Sequence, residues 1–179
     1  MQNRPEVWII SGVPAAGKTK TSKALARSFD RAAVISRDEL QAQIISGNVW
    51  PDGRPTSEAD LQIDMNVRNQ CALANSYLLH GFVPICDDVV SKRQLDIYRS
   101  KLKTSAVYLV TLHPPYPVVR QRDAGRPEED RFGNPVRWHL LYRYIETLNG
   151  VGLWFDNSNM TVQQSVEYIL DNKTKCLVS

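Results

Sequence analysis

Gly12-Val13-Pro14-Ala15-Ala16-Gly17-Lys18-Thr19 reads G-x-x-x-x-G-K-[ST]. That spacing lets a glycine-rich turn wrap phosphate groups. Its flanks suit the task. Val7-Trp8-Ile9-Ile10-Ser11 before it is a short apolar run, expected as a strand. Lys20 to Phe29 after it carries Thr21, Ala24, Leu25, Ser28 and Phe29 at helical spacing. In a strand, loop and helix of this kind, the loop amides and the helix N-terminus face phosphate oxygens, and the helix dipole favours their charge. Lys18 adds a point charge for the β- and γ-phosphates, and the Thr19 hydroxyl suits a magnesium ion. The expected nucleotide-binding set is Gly12, Val13, Pro14, Ala15, Ala16, Gly17, Lys18, Thr19 and Lys20. The expected cofactors are ATP and Mg²⁺, with Lys18 also counted as catalytic.

Strand and helix signals alternate through the rest of the chain. Ala33–Ser36 reads as a second strand, followed by a helix from Arg37-Asp38-Glu39 with Leu40, Ile44 and Ile45 on one face. Gly47 to Thr56 reads as a loop from its Gly, Pro, Asn and Asp content. Ser57-Glu58-Ala59-Asp60 resembles a capping box for a long helix reaching about His80, with Ile63, Val67, Cys71, Ala74 and Leu78 as its apolar stripe. Phe82–Cys86 reads as a third strand, although Pro84 cannot donate to a ladder. A helix from Ser91 to about Leu102, a strand over Ala106–Leu112, and helices near Pro117–Asp123 and Trp138–Leu148 follow. Gly152–Phe155 is the last strand, and Thr161 caps a final helix. This alternation predicts an α/β fold with a parallel sheet covered on both faces. Ligands in such sheets bind at the carboxyl ends of the strands. The loop, Asp38, Asp87 with Asp88, His113 and Asp156-Asn157-Ser158 are therefore expected on one rim.

The totals bound the class. The chain has 179 residues, 42% hydrophobic and 23% charged, with a net charge of +3. That length favours one domain, and the composition is that of a soluble globular protein. The charge is too weak to imply a nucleic-acid surface. No apolar run reaches a membrane span, and Met1 to Glu6 holds no secretory signal, so no membrane partner is expected. Cys71, Cys86 and Cys176 have no metal spacing and no disulfide pattern, which points to a reducing, cytoplasmic setting. Oligomeric state is open.

Several polar residues could carry chemistry. Asp38 opens a helix at a strand end, where it could take a proton from an attacking hydroxyl or simply cap the helix. Asp87 ends the third strand at the position of a Mg²⁺-holding acid, and Asp88 could touch substrate or be a solvated cap. Arg122 and Arg126 lie one helical turn apart, in a mixed-charge segment running to Arg137. That segment could be a lid delivering an arginine to the moving phosphate, or a solvated charged face with internal salt bridges. Arg68 could clamp an acceptor, although an exposed helix face explains it equally well. Trp50 could stack on an acceptor or pack within its loop. His80, His113 and His139 read as structural.

With these residues in view, the sequence resembles the small P-loop kinases over nearly its whole length. Gly12–Thr19 is similar to their Walker A motif, Ser36-Arg37-Asp38-Glu39 to the acidic segment after the second strand, and Cys86-Asp87-Asp88 to the acidic end of the third. Arg122-x-x-x-Arg126 resembles their lid arginines. Asp156-Asn157-Ser158 followed by Thr161 resembles the ending of chloramphenicol phosphotransferase-like proteins, and gluconate and shikimate kinases share the plan. The resemblance implies a P-loop NTPase three-layer sandwich. Its sheet would be five-stranded and parallel in order 2-3-1-4-5, with helices on both faces, a helical insert over about 38–80 and an Arg-rich lid over about 120–137. It also implies Asp38 as base, Arg126 near the γ-phosphate, and Arg122 and Asn157 near the adenine. Arg37, Asp38, Arg68 and Asp88 form the expected substrate set, with Thr19 and Asp87 for the metal.

These readings converge on ATP-dependent phosphorylation of a hydroxyl on a small molecule. Two alternatives stand beside it. One is a polynucleotide 5′-hydroxyl or nucleotide kinase; Gln41 occupies the position where polynucleotide kinases carry an arginine that grips nucleic-acid phosphate, which counts against it. The other is an ATP-gated binding protein that transfers no phosphate.

Overall fold

The chain is described from a computed structural model covering residues 5–50, 56–133 and 135–178. Half of the loop expected at Gly47–Thr56 falls on residues 51–55, outside the described set. The central element is β1 (Glu6–Gly12), buried along its whole length. It pairs in parallel with β3 (Val83–Asp87) on one side and β4 (Ala106–Leu112) on the other. β2 (Ala32–Ser36) lies outside β3, and β5 (Leu153–Phe155) outside β4, all parallel. The five strands therefore run in the order 2-3-1-4-5.

Both faces of β1 are apolar because both are covered. Val7 and Ile9 pack into one core with Val67, Cys71 and Ala74 of α3 (Ser57–Leu79) and Leu95 and Tyr98 of α4 (Lys92–Lys101). Trp8 and Ile10 point to the opposite core, with Leu25 of α1 (Lys18–Ala26), Val119 of α5 (Tyr116–Ala124), Trp138 and Ile145 of α6 (Pro135–Glu146), and Val166 and Ile169 of α7 (Val162–Asp171). A strand alternates its side chains, so adjacent residues of one run feed two cores. Each fully buried Val, Ile or Leu contributes about 1.5–3 kcal/mol.

Pro84 is tolerated inside this sheet for a geometric reason. The Val83 N–H donates to Arg31 O at 2.9 Å on the β2 side. By alternation, the position of the missing Pro84 donor faces β1, whose pairing with β3 begins only at Trp8 opposite Ile85.

Three helix boundaries differ from the sequence reading. α2 spans only Arg37–Ala42, so Ile45 is not part of a helical face and stands 92% exposed. The cap of α3 is Thr56, whose hydroxyl accepts from Ala59 N at 3.1 Å, and Ser57 is the first helical residue. Between α5 and α6 the chain makes a single 3₁₀ turn at Glu128–Asp130. The capping of α7 matches expectation: Thr161 accepts from Gln164 N, and the Gln164 side chain returns the bond.

The C-terminal residues add contacts that no motif announces. Helix α8 (Lys173–Cys176) places Lys173 Nζ 2.6 Å from Glu6 and over the stacked rings of Trp8 and Tyr108. Val178 O then accepts from the Arg99 guanidinium. Among the described residues no helix is long and apolar enough to cross a membrane.

The entry to β5 demands a glycine. Gly152 has φ +71°, and a Cβ there would lie 2.5 Å from Leu109 O. Gly150 has φ +78° with open space around it. Gly152→Ala is therefore expected to lose about 2–4 kcal/mol in urea unfolding, from backbone strain plus a clash with main chain, against about 1 kcal/mol for Gly150→Ala. Equal losses in the two variants would show that the close approach to Leu109 is unimportant.

Candidate active site

The phosphate loop is shaped by its own backbone and by distant side chains. Gly12 leaves β1 with φ +144°, and a Cβ there would meet Leu112 O at 2.5 Å, so only glycine fits between β1 and β4. Ala16 N closes a turn on Val13 O at 3.2 Å. Ala15 takes a left-handed φ of 58°, unusual for a residue with a Cβ. Ala16 O accepts from Asn157 Nδ2 at 2.9 Å and from Arg122 Nη1 at 3.3 Å. Arg122 also donates through Nη2 to Asn157 O and Ser158 O, at 3.0 and 3.2 Å. One guanidinium thus ties the phosphate loop to the turn after β5.

Lys18 folds back on the loop, its Nζ donating to Val13 O at 3.2 Å. Burial lowers its pKa, against the pull of Asp87 and Asp38. The Thr19 hydroxyl donates to Asp87 Oδ2 at 2.6 Å. Burial raises the pKa of Asp87, and Lys18 and the Thr19 hydroxyl oppose the rise. A hydroxyl and a carboxylate side by side are hard oxygen donors, and they fit a magnesium ion completed by phosphate oxygens.

A cleft of about 1350 Å³ opens over the loop, lined by Pro14, Ala15, Gly17, Lys18, Thr19 and Lys20. Asp38, Arg37, Arg122, Arg126 and Asn157 line the same cleft. Of the expected rim, the loop, Asp38 and Asn157 line the cleft, while Asp87, Asp88, His113, Asp156 and Ser158 do not. Gly12, Val13 and Ala16 shape the loop from below and are buried. Asp38 is 69% exposed at the cleft, within 3.5 Å of Arg37 and with its carboxylate open to an incoming group.

Two of the expected substrate residues do not line the cleft. Arg68 is exposed on α3 and does not line the cleft, because it falls on the face of the helix turned from the sheet. Asp88 is fully buried and already committed: its carboxylate accepts from Arg37 Nε, Val89 N at 2.7 Å and Tyr98 Oη at 3.1 Å. Burial raises the pKa of Asp88, opposed by Arg37. Burial works against the Arg37 charge, but Asp88 and Asp38 outweigh it and raise the guanidinium pKa.

The Arg-rich segment is likewise not shown as a lid. Asp123, which sequence reading passed over, is buried and accepts from Phe132 N and Gly133 N at 3.1 and 3.0 Å. Arg126 lies 3.5 Å from the same carboxylate. The segment is latched at both ends of the turn. His113 also leaves the rim: its ring packs between Tyr142 and Trp154 and does not face the cleft.

Sequence reading missed an amide cluster between α2 and α3. Gln41, fully buried, donates to Asn48 Oδ1 and Gln62 Oε1 at 2.7 and 2.8 Å and accepts from Asn66 Nδ2 at 2.7 Å. Gln62 also accepts from Val49 N at 2.9 Å and donates to Gly47 O at 2.7 Å. Uncharged amides off any helical stripe give no sequence signal. Gln41 is thus fully occupied in holding the chain between α2 and α3.

The first 49 residues match the family model described as Zeta toxin, a stretch that runs from β1 past Arg37 and Asp38. No curated protein matches the chain. Solved structures similar to it include a sugar kinase from Janibacter, at 16% identity and TM-score 0.70, covering 96% of this chain and 95% of that one. The APS kinase of Mycobacterium tuberculosis in complex with AMPPNP and APS is similar at 13% identity and TM-score 0.63, over 94% and 96% of the two chains. Thymidylate kinase from Candida albicans is similar at 15% identity and TM-score 0.63, over 96% and 94%. The chain has the P-loop kinase fold.

Arg122 is expected to be a brace for the empty protein as well as a cleft residue. Arg122→Met should cost about 2–3 kcal/mol, the range for charge-assisted hydrogen bonds, and lower Tm by about 4–10 °C without nucleotide. Arg122→Lys should recover little, since an ammonium cannot reproduce the planar fork. A wild-type Tm in the methionine variant would remove the bracing role.

Proposed function

We propose that this protein is an ATP-dependent phosphotransferase that moves the γ-phosphoryl group to a hydroxyl of a small molecule. The observation that carries the reading is the meeting of Lys18, Thr19 and the open carboxylate of Asp38 in one cleft, above the phosphate loop of a P-loop kinase fold. ATP bound there supplies the phosphoryl group. The backbone N–H groups of Ala15, Gly17, Lys18 and Thr19, with the Lys18 ammonium, bind the phosphates at the N-terminus of α1. Thr19 and Asp87 would hold a magnesium ion, which supplies further neutralisation of phosphate charge. Asn157, Arg122 and Arg126 line the cleft, and on this reading the first two meet the nucleotide and Arg126 the transferring group.

Asp38 orients the acceptor hydroxyl and takes its proton. As the acceptor oxygen forms its bond to the γ-phosphorus, the bond to the β–γ bridging oxygen breaks, and ADP leaves with the electron pair. On this reading the stretch from α2 through α3 is the acceptor side of a single kinase domain. The commitment of Gln41 to its amide cluster supports a small-molecule acceptor over nucleic acid, because no side chain at that position is free to grip a phosphate backbone.

The test is a metabolite and antibiotic panel assayed for acceptor-stimulated ADP release. Lys18→Ala should abolish ATP turnover. Asp38→Asn should keep the affinity for Mg·ATP while losing transfer by roughly 10²–10⁴. Full activity in Asp38→Asn would remove the base role. Magnesium binding needs Asp87 ionised, and its pKa is raised by burial. The apparent affinity for Mg²⁺ should therefore weaken as pH falls, starting above the ordinary carboxylate range, and Asp87→Asn should flatten that dependence. A profile unchanged by the substitution would place the metal elsewhere.

A further inference from the structure

Arg37 holds the strongest unused group in the cleft. It is 6% exposed, yet it lines the cleft beside Lys18 and Asp38. Its Nε is bonded to Asp88, and its Nη2 lies 3.5 Å from Asp38 Oδ1. Its Nη1 is buried with no hydrogen-bond partner. A buried unsatisfied donor costs about 1–3 kcal/mol, and the ion pair with Asp88 leaves this nitrogen no room to turn away. The donor awaits an acceptor atom from the ligand.

The geometry of the pair limits that ligand. The two terminal nitrogens of a guanidinium are about 2.3 Å apart in a rigid plane. With Nη2 against Asp38, an oxygen held by Nη1 and a hydroxyl held by Asp38 can lie about 3 Å from each other. Oxygens on adjacent carbons in a gauche arrangement fit that span. Charge narrows the class further. Immediately around Arg37, two cations, Arg37 and Lys18, stand against three carboxylates, Asp38, Asp87 and Asp88. That balance offers no excess positive charge to an anionic acceptor. Trp50, 51% exposed, lines the cleft with Ala59, Ile63 and Val89, and these surfaces suit the C–H face of a ring.

Resting on the kinase reading above, we propose that the acceptor is an uncharged polyol, with Asp38 taking the reacting hydroxyl and Arg37 Nη1 donating to the oxygen on the neighbouring carbon. Arg37 is then a specificity-determining residue, and Asp88 is a positioning residue that acts through it.

The test uses minimal probes on the full chain with Mg·ATP. ADP release is measured with cis-1,2-cyclohexanediol, 1,4-cyclohexanediol, cyclohexanol, glycerol and glycerol 3-phosphate. The two vicinal diols, cis-1,2-cyclohexanediol and glycerol, should stimulate release at least ~10-fold more than cyclohexanol or the 1,4-diol, the worth of one charge-assisted hydrogen bond. Glycerol 3-phosphate should do no better than glycerol. In Arg37→Met that advantage should fall below about twofold while the Kd for Mg·ATP is kept. Arg37→Met leaves Asp88 unpaired, so the double variant Arg37→Met with Asp88→Asn is measured beside it and should give the same loss. Equal stimulation by all the alcohols, no stimulation by any, preference for the phosphate ester, or a diol preference surviving in the variants would each overturn the proposal. If those results come with normal Mg·ATP binding and turnover, the kinase reading stands alone. If Mg·ATP is neither bound nor turned over by the wild type, that reading falls as well.

Discussion

A loop that binds phosphate must keep its N–H groups free for the ligand. Its shape must therefore be held through its carbonyls and through contacts from outside. Here that duty falls on Ala16 O, which accepts from both Asn157 and Arg122, and on Val13 O, which accepts from Ala16 N and Lys18. Both external donors arrive from late in the chain, Arg122 106 residues and Asn157 141 residues away in sequence. The loop is consequently pre-organised. Lys18 and Thr19 have internal partners, and on the proposed reading phosphate binding would exchange those bonds with little reordering. Gly12 completes the arrangement by letting β1 and β4 approach where any larger residue would collide with Leu112 O.

A second set of bonds fixes the acceptor side. Gln70 on α3 donates to Ile35 O at 2.8 Å and accepts from Tyr98 Oη at 2.5 Å, while Tyr98 also reaches Asp88. Asp88 in turn holds Arg37 at the start of α2. Taking such a pair out of water is expensive, and it is retained only where the geometry satisfies the remaining donors and acceptors. Asp88 meets that condition with three partners, and Arg37 does not, since one of its nitrogens stays open. The asymmetry separates a satisfied scaffold residue from the one proposed to meet the acceptor.

Much of this was legible in the sequence, for physical reasons. The glycine-rich loop is a local motif, so eight consecutive residues carried its place between β1 and α1. The strands read clearly because each is apolar on both faces, and Thr161 read as a cap because its partner Gln164 is one turn away. The failures share a different cause. Asp88 looked like a substrate contact because an acid at a strand end gives no sign of the arginine that neutralises it. Arg68 looked like a clamp because polarity on a helix does not tell which face meets the sheet. Ile45 looked apolar and helical, but the ties from Gln41 to Asn48 and Val49 accompany a chain that leaves the helix after Ala42. Asp123 and the amide cluster were invisible because their partners are backbone groups or uncharged side chains that show no spacing.

The environments of the four tryptophans have a spectroscopic consequence. Trp8 and Trp138 are sealed in the core, Trp154 is partly covered, and Trp50 stands half in water at the mouth of the cleft. Their indoles should therefore emit at different wavelengths, with the red edge of the spectrum belonging chiefly to Trp50. Occupancy of the cleft can be followed at that edge by intrinsic fluorescence alone, with no dye attached.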